Sequence, residues 1–223
     1  MTINVTKRDG RKEPLEIAKL HKVVAWACED IAGVSESEIE IKTQMQFFNG
    51  MKTSDIQETL IKAAHDLISE DTPNYQYVAG RLVNYALRKE VYNSVTPPRL
   101  YDHVVRVVNE GFYDTHLLEW YTEEEFDQMD RWIDHDRDFN IAYAGMEQMR
   151  GKYLVRNRST NKYYETPQIA NMLIAASLFH KYPKETRLEW VADLYDAISE
   201  FDVSLPTPIM AGVRTPKRQF SSC

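Results

Sequence analysis

The sequence predicts a mainly α-helical fold with a small β contribution, and three observations carry that prediction. Apolar residues recur at spacings of three and four along most of the chain. Proline, Ser/Thr and Asn-Gly signals stand where such stretches open and close. Only two short segments carry the alternation and turn residues of a hairpin. Glycine is sparse, 8 in 223 residues, which favours helices over Gly-rich nucleotide loops.

The elements follow in order. Ile3-Asn4-Val5-Thr6-Lys7-Arg8 alternates and meets Asp9-Gly10, a hairpin turn, with residues 11–15 returning. Across residues 16–31 the stripe Leu20, Val23, Val24, Ala27 and Ile31 predicts an amphipathic helix. Residues 35–48 predict a second, closed by Asn49-Gly50. Ser54 followed by Gln57 reads as a capping box, with Asp55 and Glu58 at the positive helix end, and predicts a third helix to about residue 69. Thr72-Pro73 opens a fourth, whose face is Tyr75, Val78, Leu82, Tyr85 and Ala86. Thr96-Pro97-Pro98 removes two donors and forbids helical continuation, which places a domain edge near residue 95.

Beyond that edge, Val104, Val105 and Val108 mark a helix over 100–109, Thr122 and Glu125 cap the next, and residues 139–149 continue the pattern. Residues 152–156 and 162–165 flank 157–161 as a second hairpin, so that a β-hairpin is expected near 152–165. Helices are predicted over 167–180 and 185–201. Pro206 and Pro208 predict an extended backbone over 203–210.

Composition narrows the function. A formal net charge of -7 argues against a protein that coats nucleic acid, so any anion site must be local. The longest apolar stretch, 172–179, is far short of a membrane span, and residues 2–16 lack the apolar core of a secretory signal. Two cysteines, Cys28 and Cys223, are too few for a secreted disulfide framework and suit a reducing cytoplasm.

Three groups of residues invite chemistry. Lys7, Arg8, Arg11 and Lys12 gather cations around one tight turn, near the helix start at Ser54 and Asp55. That arrangement fits a polyphosphate, and it also fits a charged tip protecting a sheet edge, the reading that the pattern alone favours. The acidic run Glu123-Glu124-Glu125-Phe126-Asp127, with Asp130, Asp134, Asp136 and Asp138, lacks the spacing of a calcium loop and reads as a solvated helix face. No metal site is expected. Cys28 reads as a buried core thiol, whereas Cys223 stands beside Ser221 and Ser222 as either a chain end or a reactive thiol.

These residues resemble a known family. Val5-Thr6-Lys7-Arg8-Asp9-Gly10, Lys52-Thr53-Ser54-Asp55-Ile56, Asn74-Tyr75-Gln76-Tyr77 and Leu87-Arg88-Lys89 are similar to the ATP-cone that opens class I ribonucleotide reductase large subunits. Tyr121-Thr122-Glu123-Glu124-Glu125-Phe126, Ile133-Asp134-His135-Asp136-Arg137-Asp138, Ser204-Leu205-Pro206-Thr207-Pro208-Ile209-Met210 and Arg214-Thr215-Pro216-Lys217-Arg218-Gln219-Phe220-Ser221-Ser222-Cys223 resemble the same subunit, of the enteric bacterial and bacteriophage type.

The resemblance implies a division into an ATP-cone over 1–95 (a β-hairpin cap over four helices), a helical domain over 96–202, and a segment over 203–223 leading into the ten-stranded α/β barrel of the family. It implies allosteric ATP and dATP at Lys7, Arg8, Glu13, Pro14, Leu15, Glu16, Ile17, Ala18, Lys19, Thr53, Asp55 and Lys89, with Mg2+ admitted beside the nucleotide. Gln57 and Ala86 stand where close relatives often place histidines. Thr207 and Ser222 are implied in holding the substrate, and Cys223 as one of two thiols oxidised when a ribonucleoside diphosphate loses its 2′-hydroxyl. The thiyl cysteine, the carboxylate base and the second reducing thiol of that reaction are expected elsewhere. The implied partners are the remainder of the large subunit with its barrel, a small subunit bearing a di-metal site and tyrosyl radical, and thioredoxin or glutaredoxin as reductant. No membrane or direct nucleic-acid contact is expected, and the location is cytoplasmic, in a host cell if phage-encoded. The competing expectation is a stand-alone regulatory module that binds ATP or dATP without catalysis.

Overall fold

The structure, a computed structural model, describes residues 3–44, 46–217 and 220. Its backbone is mainly helical with one two-stranded antiparallel sheet among the described residues. Packing divides the chain into two compact units, Met1–Ala86 with Phe139–Glu147, and Leu87–Asp138 with Gln148–Cys223.

In the first unit, β1 (Asn4–Thr6) pairs with β2 (Lys12–Pro14) in the register Asn4 to Pro14 and Thr6 to Lys12. The turn between them places Gly10 at φ +86°, a left-handed conformation that a side chain would strain. Four helices follow: α1 (Ile17–Cys28), α2 (Glu36–Gln44), α3 (Thr53–His65) and α4 (Tyr75–Tyr92). Val5, Met51 and Ile56 form a small core with Leu15, Leu20 and Phe47 around them, which seats the hairpin on α1 and α3. Tyr75, 1% exposed, donates to Glu38 Oε2 at 2.6 Å and accepts from Ser35 N at 2.8 Å, tying α4 to the start of α2. Cys28 is buried, and burial pushes its thiol up to about 11, so it is inert as a thiolate.

The expected edge at residue 95 marks the end of a helical run, since Thr96-Pro97-Pro98 separates α4 from the helix that begins at Leu100. Packing divides the chain earlier, after Ala86 and inside α4. The last turns of α4 belong to the second unit: Glu90 accepts from Tyr163 N at 3.1 Å, and the Tyr92 and Thr166 hydroxyls share a hydrogen bond of 2.9 Å. Residues 139–147 return to the first unit, where Phe139 meets Trp26 edge to face at 5.0 Å.

The second unit is built on α9 (Pro167–Phe179), in which every residue from Pro167 to Ser177 is buried. A helix apolar on all faces must lie at the centre. Packed about it are α5 (Leu100–Asn109), a short α6 (His116–Trp120), α7 (Glu123–Trp132) and α10 (Arg187–Ser199), through Leu100, Val104, Phe126, Met129, Met172 and Val191. A 3-10 turn over His135–Asn140 spans the change along the chain from the second unit to the first, and α8 (Tyr143–Gln148) follows. Thr122 and Glu125 form the expected reciprocal capping box.

Four expectations change. The Ser54–Gln57 box does not form: α3 starts at Thr53 behind Lys52, Ser54 donates to Asp55 Oδ1, and Gln57 accepts from Arg8. Lys52 is held extended by its bridge to Thr6, which sets the helix start. The second hairpin reduces to one antiparallel bridge, Arg156 to Tyr163, and Met149–Tyr153 is a π-helical turn. Its ladder is pre-empted because Val155 N donates to the Glu165 carboxylate and Tyr153 O accepts from Arg214. The segment expected to be extended contains α11 (Thr207–Gly212), since Pro206 and Pro208 fall at the cap and first turn, where a missing N–H costs nothing. The acidic run is not a solvated face throughout: Asp138 is 0% exposed.

Asp138 Oδ1 accepts from Gln168 Nε2 at 2.9 Å, and Gln168 Oε1 accepts from Tyr195 and Ser199, each at 2.7 Å. Burial, the largest cause, pushes the Asp138 carboxyl up to about 7, against the Gln168 hydrogen bond and the Arg88 charge. The folded acid therefore holds its proton where the unfolded one has lost it, so its contribution is full below about pH 4 and is lost as pH rises through 7. His103 and His135 act in the opposite sense, since burial lowers them to about 3 and about 4, and they favour the folded state above pH 6.5. Asp138→Asn, which keeps an acceptor for Gln168, is expected to raise the melting temperature at pH 8 and to lose that advantage by about pH 4. Melting curves across that range would check it, and a pH-independent difference would contradict the buried acid.

Candidate functional site

The hairpin is stitched on both sides, and this builds the first site. Thr6 N donates to Met51 O at 2.9 Å, Gly50 N to Asn4 O at 2.7 Å, and Asn4 N to Asn49 Oδ1 at 2.9 Å. The end of β1 is thereby fastened beside the start of α3, and Arg8 Nη2 reaches Gln57 Oε1 at 3.1 Å. Lys7 pairs with Glu13 at 2.8 Å, and that hydrogen bond holds the Glu13 carboxyl below the usual carboxylate range. Arg11 is neutralised within the turn by Asp9. The Lys52 side chain does not cap α3, whose N-terminus begins with Thr53 and an exposed Asp55.

Below the hairpin lies a cavity of about 200 Å³ lined by Ile3, Leu15, Ile17, Leu20, Val24 and Phe47 among others, with His21 and Glu40 bonded to each other at its wall. It is mostly apolar, as sites for flat heterocycles are. Of the expected effector residues, Leu15 and Ile17 line the cavity, at the Ile3 and Leu15 end of the hairpin, whereas Lys7 and Arg8 stand at its turn end, where Arg8 reaches the first turns of α3 that Thr53 opens, and Glu13 pairs with Lys7. Pro14 is taken up in β2, Glu16 pairs with Lys19 at 2.9 Å, and Ala18 is exposed. Lys89 stands in the last turn of α4, in the second unit. Sequence reasoning missed His21, Glu40 and Phe47; His21 lies on α1, whose apolar stripe does not say which face is left open, and Glu40 and Phe47 come from α2 and the segment after it, which no local pattern ties to α1.

The second unit holds a cavity of about 780 Å³ walled by three segments: residues 111–112, residues 151–158, and residues 207–217 with Phe220. Thr207 lines it from the first position of α11. Lys152, Arg156, Arg158 and Lys217 line it and no acidic residue does, so among the described residues its wall is positive within an acidic chain. Ser222 and Cys223 lie outside the described residues. Among the described residues no three His, Cys, Asp or Glu side chains form a group that could hold a metal ion.

Residues 3–90 match the ATP cone domain, and residues 139–218 match the ribonucleotide reductase all-alpha domain. The fold is thus an effector-nucleotide module joined to a helical reductase domain. The chain is 58% identical over 219 residues to ribonucleoside-diphosphate reductase 1 subunit alpha of Escherichia coli (strain K12), covering 98% of this chain and 29% of that protein. It is 55% identical over 222 residues to the alpha subunit of Haemophilus influenzae, covering 100% and 29%. The alpha subunit of Enterobacteria phage T4 is 44% identical over 223 residues, covering 99% and 29%. The chain belongs to the ribonucleoside-diphosphate reductase large-subunit family and corresponds to its N-terminal region, spanning 29% of the length of these relatives.

Proposed function

We propose that the first unit binds ATP and dATP as opposing effectors, and that the second supplies part of the substrate site of a ribonucleoside diphosphate reductase. The observation that carries the effector reading is the stitched hairpin: it sets Lys7 and Arg8 beside the start of α3, and its other end, at Ile3 and Leu15, lines an apolar cavity of about 200 Å³ in the same unit. Triphosphate charge would be met by Lys7, Arg8 and the helix end near Thr53, and the base by Leu15, Ile17 and their neighbours. Glu13 would exchange its bond to Lys7 for one to the nucleotide. Asp55 and Lys89 belong to the same reading, and Mg2+ enters with the triphosphate.

In the second unit, Thr207 and its positive cavity fit a diphosphate-bearing substrate, and Ser222 as a further substrate-binding residue and Cys223 as one of the thiols oxidised in the reduction belong to the same reading. The small radical-generating subunit, the remainder of the large subunit, and thioredoxin or glutaredoxin complete the reaction, in a cytoplasmic setting.

Titration calorimetry tests the effector site. Lys7→Ala is expected to weaken ATP and dATP binding by about 1.5 to 3 kcal/mol, the worth of a hydrogen bond to a charged group. In the complete enzyme the same change should blunt both activation by ATP and inhibition by dATP. Absence of binding by the unaltered chain would end the reading.

A further inference from the structure

Glu165 and Arg214 are both 0% exposed. A buried ion pair is seldom more stabilising than an apolar pair of the same volume, so its position asks for another explanation, and the setting of register is the best attested. Here every bond leads to one place. Arg214 donates a two-pronged fork to Glu165, Nη1 donates to Met210 O at 2.7 Å in α11, and Nη2 donates to Tyr153 O at 3.0 Å. Its own carbonyl accepts from Asp114 N at 2.9 Å. Glu165 accepts in addition from Tyr113 OH at 2.7 Å and Val155 N at 2.6 Å. The segments so joined, at 113–114, 153–155 and 210–214, continue directly into the three that wall the Thr207 cavity.

We propose that Glu165 and Arg214 are positioning residues for the phosphate-bearing substrate: the pair clasps the three wall segments from behind and sets where Thr207 stands. This rests on the reading of that cavity as part of the ribonucleoside diphosphate site. Both carboxylate oxygens and three guanidinium nitrogens are satisfied, and a fully satisfied buried network is rigid, unlike an apolar contact that slides. Neither residue lines the cavity, so both act through the backbone.

The test uses the complete large subunit assembled with its small subunit, comparing E165Q, R214K and R214M with the unaltered protein. Two quantities are read: amide hydrogen exchange at residues 111–114, 153–155 and 207–214, and KM against kcat for a ribonucleoside diphosphate. Expected are faster exchange confined to those segments and a KM raised about ten-fold in E165Q and R214M, with a smaller change in kcat and partial recovery in R214K, which keeps the charge but loses the fork. Slow amide exchange in α9 reports that the second unit is folded, and ATP binding by the first unit should be unchanged. If single variants fail to fold, the apolar pair E165L/R214M removes both charges together; it should fold and still show the raised KM. Unaltered exchange and KM in a folded variant would overturn the clasp. Faster exchange in a protein whose unaltered form shows no saturable dependence on ribonucleoside diphosphate would instead overturn the substrate reading, and with it the positioning role.

Discussion

Gly80→Ala is expected to destabilise the first unit by about 3 kcal/mol, although alanine is the better helix former by roughly 1 kcal/mol. Gly80 lies in α4 facing residues 141–143, and a Cβ there would stand 2.1 Å from Ile141 O, 3.1 Å from Ala142 C and 3.2 Å from Tyr143 N. These are backbone atoms, so no rotamer change relieves the clash. Relief requires the returning segment to lift from α4, which would also withdraw Phe139 from Trp26 and the Phe139 carbonyl from Arg81 Nε, now at 3.3 Å. Urea unfolding followed by tryptophan fluorescence measures this directly. A variant with an unaltered midpoint would show that 139–147 is not held as described.

Glu125→Ala is expected to cost about 3 to 5 kcal/mol in the second unit, far more than an exposed carboxylate contributes. Arg187 is 4% exposed in its side chain and donates to Glu125 at 2.6, 2.7 and 3.1 Å, while its guanidinium lies 4.3 Å from the centre of the Tyr121 ring. Removing the carboxylate strands that charge in the core between α7 and α10. Glu125 Oε2 also accepts from Thr122 N at 2.8 Å, so half of the capping box is lost with it. The adjacent Glu124→Ala is the control and should lie within about 0.5 kcal/mol of the unaltered protein. Equal effects of the two changes in thermal melts would refute the buried-pair account.

These two residues show where sequence reading stops. Glu123, Glu124 and Glu125 are indistinguishable as letters in an acidic run, and the spacing that made Thr122 and Glu125 a capping box was legible because it is local. That Glu125 also meets Arg187 depends on α7 and α10 packing side by side. The Ser54–Gln57 box failed for the same reason in reverse: the pattern was local, but the bridge from Thr6 to Lys52 overrode it. Of the proposed effector residues, Lys7, Arg8 and Thr53 lie in the motifs that carry the family resemblance. The open face of α1 that forms the cavity was not legible, because periodicity shows which face is apolar and not whether a neighbour covers it.

By itself the sequence determined a helical protein opened by one tight hairpin, and it placed the helix entry at Thr122, because cap chemistry acts within a few residues, whereas α4 begins at Tyr75 and not at Pro73, with the Thr72 hydroxyl donating to Leu67 O. It carried the family through short motifs spread along the whole chain. Only the tertiary structure decided that α9 is the central helix, that the chain divides inside α4, and that Glu165 and Arg214 meet behind the Thr207 cavity. Those outcomes depend on which faces are buried against which, and a buried charge finds its partner across elements whose separation in sequence says nothing of their distance in the fold.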